Sequence, residues 1–254
     1  MMVVLSAGKA VLAAVAATLA TSSVVNISQT ARIMQDSMSV SPLSSRAFRN
    51  TQEAVSVLQS MSRAELLRVY IASEEPPKTL DVLEGEWDGL LLNNNGPIMT
   101  SVSIFLTNRL FGRGREWNGK GFSNNVGRTS STRRLGFNRF HGQQPRENNH
   151  IPSDEKGKEC SAKAGHSVME QQHTFEYGIE NSRLDSSRKS IILQYSNHQG
   201  PLSLWKTMSD ELRIIRIPGE DSMLMIGFGS MAWSGGHWNA SPFCLWKSDK
   251  GTPP

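Results

Sequence analysis

The second half of the chain is a succession of short apolar runs, each ended by a cluster of turn-forming residues, and that rhythm limits the fold more than any other feature. In "HTFEYGIE" (173–180), Phe175, Tyr177 and Ile179 fall on one side and Thr174, Glu176 and Gly178 on the other. This is the period of two expected of a half-buried strand. "SIILQYS" (190–196), "ELRIIRI" (211–217), "SMLMIGFGS" (222–230) and "PFCLWKS" (242–248) follow, separated by "NHQGP", "PGED" and "SGGHWNASP". Upstream, "GEWDGLLL" (85–92), "REWNGKGF" (115–122) and "RLGFNRFH" (134–141) bring the number of strands to about eight. Short strands with turns between them predict a mainly β protein, an antiparallel barrel or sandwich.

Helical periodicity is confined to the N-terminal side. Residues 51–60 and 63–73 carry it, and Ser62-Arg63-Ala64-Glu65 is a capping box in which the Ser hydroxyl and the Glu carboxylate satisfy each other's orphan amides. Leu66, Val69 and Tyr70 share one face behind it, and "EEPP" (74–77) stops the helix because proline cannot continue it. A third helix is predicted over 97–111. Pro97 suits its first position, and Ile98, Val102, Phe105, Leu106 and Leu110 form one stripe.

Two segments fall outside this pattern. Residues 142–170 are rich in Gln, Asn, Lys, Glu and Gly and nearly lack apolar residues, so they read as a flexible polar insertion. Residues 1–48 begin with "AVLAAVAATLA" after Lys9 and continue Ser-rich with Asp36 as the only acid. They read as a targeting or disordered segment: a secretory signal, a mitochondrial or plastid transit peptide, or a tail. The expected layout is thus 1–48 address or tail, 49–76 helical lead-in, and 77–248 barrel. The mature form is expected to be soluble or peripheral, in the secretory pathway or an organelle.

Composition excludes some functions. With two cysteines, Cys160 and Cys244, the chain is not a scaffold of stapled loops. A net charge of +4 suits nucleic acid in sign only, because the basic residues lie in polar connections instead of on a patterned helix. No nucleic-acid partner, metal or cofactor is therefore expected. "GFGSMA" (227–232) imitates a dinucleotide fingerprint, but "WSGGHWNASP" after it cannot form the helix that holds the pyrophosphate. Glu86 and Asp88 share one strand face, opposite Trp87, and read as its solvated side; no catalytic set is recognised.

The aromatics are the informative class. Trp117, Phe175, Tyr177, Tyr195, Trp205 and Trp233 lie on or beside predicted strands, where they fill a barrel interior or line a ligand cavity. Arg213 and Arg216 lie three apart on one strand and face opposite sides, and Arg213 is the candidate to point inward and orient a ligand.

The N-terminal half resembles the GXWXG domain: a capped helix, then "GEWDG", a helix and "WNGKGF". The run from "SIILQYS" to "SPFCLWKS" looks like the β-rich domain that accompanies it. The resemblance covers roughly residues 61–122 and 172–248 and implies one lipocalin-like barrel with a helix across its mouth. In the residues themselves Trp87 reads as pointing inward, with Gly85 and Gly89 letting the first strand bend; the resemblance implies Lys247 as the basic residue near the Trp87 ring, and it names no reaction. Three functions are expected in order. The first is binding of a small apolar or amphipathic ligand, such as a lipid, fatty acid or pigment. The second is an isomerase or cyclase in the same cavity. The third is a structural or assembly factor that binds another protein; a peripheral membrane contact is the other partner expected besides the ligand.

Overall fold

The computed structural model describes residues 21, 23–35, 48–126, 132–141, 172–200, 203–220 and 223–247. Eight strands close into one barrel in the order of the sequence, every neighbour antiparallel. They are β1 (Gly85–Leu91), β2 (Glu116–Val126), β3 (Arg134–His141), β4 (Gln172–Asn181), β5 (Lys189–Gln194), β6 (Met208–Arg216), β7 (Met223–Met231) and β8 (Ser241–Lys247). The seam is β1 against β8, from Trp87 opposite Lys247 to Leu91 opposite Phe243. Closure leaves no sheet edge unpaired, which is how an all-antiparallel sheet of this length avoids edge-to-edge association.

Strands β6 to β8 are apolar on both faces, and the two faces feed two separate cores. The inward residues, among them Trp87, Trp117, Phe122, Phe175, Tyr177, Leu193, Tyr195, Leu212, Met225, Phe243 and Leu245, form the barrel interior. The outward residues Leu224, Ile226, Phe228 and Cys244 pack with Leu58, Leu66, Leu67 and Tyr70 from α2 (Thr51–Ser60) and α3 (Arg63–Ala72). This is why β6 to β8 read as nearly continuous apolar runs while β4 alternates.

The helical lead-in forms as its caps dictate. The Asn50 side chain accepts from the Glu53 amide at the start of α2. At α3 the capping box is complete, with Ser62 Oγ accepting from the Glu65 amide and Glu65 Oε2 accepting from the Ser62 amide. An additional helix, α1 (23–35), lies within the stretch expected to be an address or tail. Its Asn26, Thr30 and Ile33 are buried, so the folded unit begins well before residue 48. The Arg63 guanidinium holds α1 in place by donating to Asn26 O, Gln29 Oε1 and Thr30 Oγ1, and to Ala240 O at the foot of β8. Burial lowers the Arg63 pKa to about 10. The insertion at 142–170 lies outside the described residues. Among those described, no helix is long and apolar enough to cross a membrane.

Gly85, Trp87 and Gly89 shape the first strand. Trp87 is fully buried, its Nε1 donates to Leu83 O at 2.7 Å, and its ring meets Phe122 edge-on. Gly85 takes φ 115°, in the left-handed range that favours glycine. A Cβ at Gly89 would lie 2.6 Å from the Trp117 ring and 2.9 Å from Gly119 Cα, so the two strands approach here as closely as backbone allows. Glu86 and Asp88 are on the outer side, both paired with Arg139. Lys247 sits opposite Trp87 in register, with its own side chain exposed.

Candidate functional site

Among the described residues, a polar cluster lies inside the otherwise apolar barrel. Lys120 on β2 and Asp210 on β6 point inward from opposite walls, and Lys120 Nζ lies 2.8 Å from Asp210 Oδ2 with both side chains buried. Lys120 points inward because it pairs with Trp87 across β1–β2, and directly opposed residues share a face. A register shift between Trp117 and Gly119 brings Trp117 and Lys120 to the same side. Asp210 is inward by alternation with Leu212 and Ile214.

The remaining contacts complete the cluster. Lys120 Nζ also donates to Asn138 Oδ1 and to the Tyr195 hydroxyl, each at 2.8 Å. Tyr195 donates to Asp210 Oδ2 at 2.8 Å and accepts from Asn138 Nδ2 at 3.2 Å. Trp117 Nε1 donates to Asn138 Oδ1 at 3.2 Å. The ammonium lies 5.2–5.7 Å from the ring centres of Trp117, Phe175, Tyr195 and Phe243, an aromatic cage of the kind that stabilises a desolvated cation. Burial pulls the Lys120 pKa down, while the Asp210 carboxylate pushes it back up. Burial and the same carboxylate hold the Tyr195 phenol protonated well above its ordinary range.

This cluster is the floor of a small inner cavity of about 70 Å³, whose walls include Trp117, Trp205, Phe111 and Phe243. Above it lies an open apolar cleft of about 900 Å³ between α4 (Pro97–Ile104) and the turns at 232–239. Ser103, Leu106, Gly229, Met231 and Ser241 line both cavities, so the cleft is the vestibule of the inner site. The α4 helix continues into a π-helical turn, Phe105–Phe111, that carries Leu106 and Phe111 over the barrel mouth, as predicted for 97–111. Its stripe does not simply face the core, however. Ile98 and Phe105 are 63% and 60% exposed along the cleft, while Met99 and Ser103 are turned inward.

The residues singled out from the sequence divide among three places. Trp117, Tyr195 and Trp205 meet at the inner site, where the Trp205 ring lies against both Tyr195 and Phe111. Phe175 and Tyr177 lie deeper, packed on Phe122, and the Tyr177 hydroxyl donates to Ser123 O. Trp233 is 52% exposed and forms part of the outer cleft.

Arg213 requires a correction. It lies outside the barrel, not in the cavity, because alternation on β6 sends Asp210, Leu212 and Ile214 inward and Glu211, Arg213 and Ile215 outward. Its guanidinium covers the Tyr70 ring, donates to Ile71 O near the end of α3 and pairs with Asp185 at 3.0 Å. It fastens the helical layer to the barrel.

The charged centre of the cavity was missed by the sequence reading. Lys120 alternates with Phe122 and Asn138 with Phe140, and that conflict between polarity and face was the available signal; Asp210 lies one residue before the strand read at 211–217 and gave none.

Comparison with protein-family profiles, with curated proteins and with solved structures finds no match. The site therefore stands on its own chemistry. It offers apolar area in the vestibule and a committed ion pair at the floor, within largely apolar walls.

Proposed function

We propose that the barrel binds a small amphipathic molecule whose apolar body lies in the vestibule and whose polar end enters the inner cavity. The observation that carries this reading is that the two spaces adjoin, sharing Ser103, Leu106, Gly229, Met231 and Ser241. An apolar cleft that narrows onto one cluster of convergent polar groups is the usual form of a small-molecule site. The exposed apolar edge of Ile98, Phe105 and Trp233 supports it, since apolar surface gathered on one rim is retained where something covers it. The likeness of "GEWDG" and "WNGKGF" to the GXWXG domain agrees with a container of this kind. The test is native mass spectrometry of the full chain purified under mild conditions, together with extraction of the bound fraction. A single class of small apolar compound in sub-stoichiometric to equimolar amount supports binding. A uniformly empty protein that also takes up no amphipathic probe would refute it.

A second reading, catalysis of a proton shift in the bound molecule, is favoured by one observation. Lys120, Tyr195 and Asp210 place donors and an acceptor within hydrogen-bond reach of one another, as general acid–base chemistry requires. Recovery of the bound compound after incubation in D2O decides it. Deuterium on carbon supports turnover, and unlabelled compound supports a carrier.

A further inference from the structure

Asp210 is wholly buried and only half satisfied. Its Oδ2 accepts from both Lys120 and Tyr195, while Oδ1 has no hydrogen-bond partner among the described residues. A buried carboxylate oxygen without a partner is costly, and in native proteins such an atom is met by a water, an ion or a ligand's donor. Oδ1 is directed at Gly229, where a Cβ would lie 2.9 Å from it, and Gly229 lines both the vestibule and the inner cavity. Because residue 229 is glycine, no side chain stands against Oδ1 on that side.

The cation beside it is spoken for. An ammonium has three donors, and those of Lys120 are taken by Asn138, Tyr195 and Asp210. No other Lys or Arg lines either cavity among the described residues. A carboxylate head would therefore enter a site that has no free cation and would face the free lone pairs of Asp210. An ammonium head would approach the Lys120 charge across the same carboxylate. A neutral group that donates one hydrogen bond meets neither obstacle.

Resting on the binding reading above, we infer that the ligand is an apolar alcohol, its hydroxyl donating to Asp210 Oδ1 past Gly229 while its hydrocarbon body fills the vestibule. Fatty acids, expected from the sequence as one ligand type, are thereby disfavoured. The geometry ranks head groups by what they can donate, not by chain length.

The test uses three probes of equal chain length on the full chain at pH 7.5: 1-dodecanol, dodecyl methyl ether and dodecanoate. Binding is followed by quenching of tryptophan fluorescence, to which Trp117, Trp205 and Trp233 contribute from the two cavities. The alcohol is expected to bind about tenfold or more tightly than either competitor, the usual scale for a hydrogen bond to a buried charged group. Gly229→Ala, which sets a methyl group against Oδ1, should abolish the preference, so that alcohol and ether bind the variant equally. If the ether or dodecanoate binds as tightly as the alcohol, the inference is wrong and the binding reading stands. If none of the three binds, the binding reading falls and this inference with it. Should the glycine variant fail to fold, the ranking of the three probes on the unaltered chain decides the matter alone.

Discussion

Lys120 Nζ and Asp210 Oδ2 meet 2.8 Å apart at the centre of the barrel, both sealed from solvent. Each would be intolerable alone there, and together they hold β2 and β6 at one separation across the aromatic interior. Removing one partner leaves an unpaired buried charge, which costs about 3–5 kcal/mol, whereas replacing both by apolar groups of similar volume is often close to neutral. Lys120→Met and Asp210→Leu singly should each lower stability by that amount, and the double variant should recover most of the loss. Urea unfolding measures it. A double variant as unstable as the sum of the singles would mean that the pair is not coupled.

All three tyrosines of the chain, Tyr70, Tyr177 and Tyr195, resist ionisation. Burial is the largest cause in each case, and it pushes the Tyr177 phenol up to about 12. A phenol whose folded pKa is raised contributes stability that is fully present below its unfolded value of about 10 and is lost as pH rises through the folded value. Absorbance at about 295 nm should therefore show no tyrosinate at pH 10 in the folded protein, and half-ionised tyrosine there in urea. Above that pH these phenols favour the unfolded chain, so ionisation should appear together with loss of tertiary circular dichroism. Reversible ionisation of even one tyrosine near pH 10 in the folded state would contradict the packing described for these side chains.

Gly119 holds φ at 144°, and a Cβ there would fall 1.9 Å from Trp87 O. Gly119→Ala meets backbone strain and a backbone clash at once, and should cost about 3 kcal/mol or more. Gly200→Ala, where nothing lies within 4 Å of the added carbon, is the control and should change the unfolding midpoint little. Equal effects of the two substitutions would show that β1 and β2 do not approach as described.

Arg63 is the one side chain in α3 that reaches α1, Ala240 and Trp238 together among the described residues. Arg63→Met removes donors from several buried acceptors, at about 1.5–3 kcal/mol for a charge-assisted bond. Hydrogen exchange over residues 23–35 should accelerate sharply while the strands stay protected. Unchanged protection of that stretch would mean that α1 is held by its apolar contacts alone.

Much of the fold is readable along the chain because the signals are local. Alternation in "HTFEYGIE", turn clusters after each apolar run, the box at Ser62–Glu65 and the prolines at 76–77 each depend on neighbours a few residues away. All eight strands follow from such signals, and so do the helix over the mouth and the inward turn of Trp87. Helix α1 escaped them because its polar residues Asn26 and Thr30 are buried by partners more than thirty residues away, Arg63 and Asn239 among them.

The amino-acid sequence by itself determined a mainly β, antiparallel protein of about eight strands with helices before them and one at their end, and it marked the aromatic residues that lie on or beside those strands. Only the tertiary structure decided which way Arg213 faces, that Lys120 and Asp210 meet, and that an oxygen of Asp210 is left unpartnered beside Gly229. The reason is physical. The face of a strand is a matter of period two, but which of the two apolar faces becomes the interior depends on closure between β1 and β8 and on the helices that cover the other. A charge pair between residues ninety positions apart leaves no mark on either residue's neighbours.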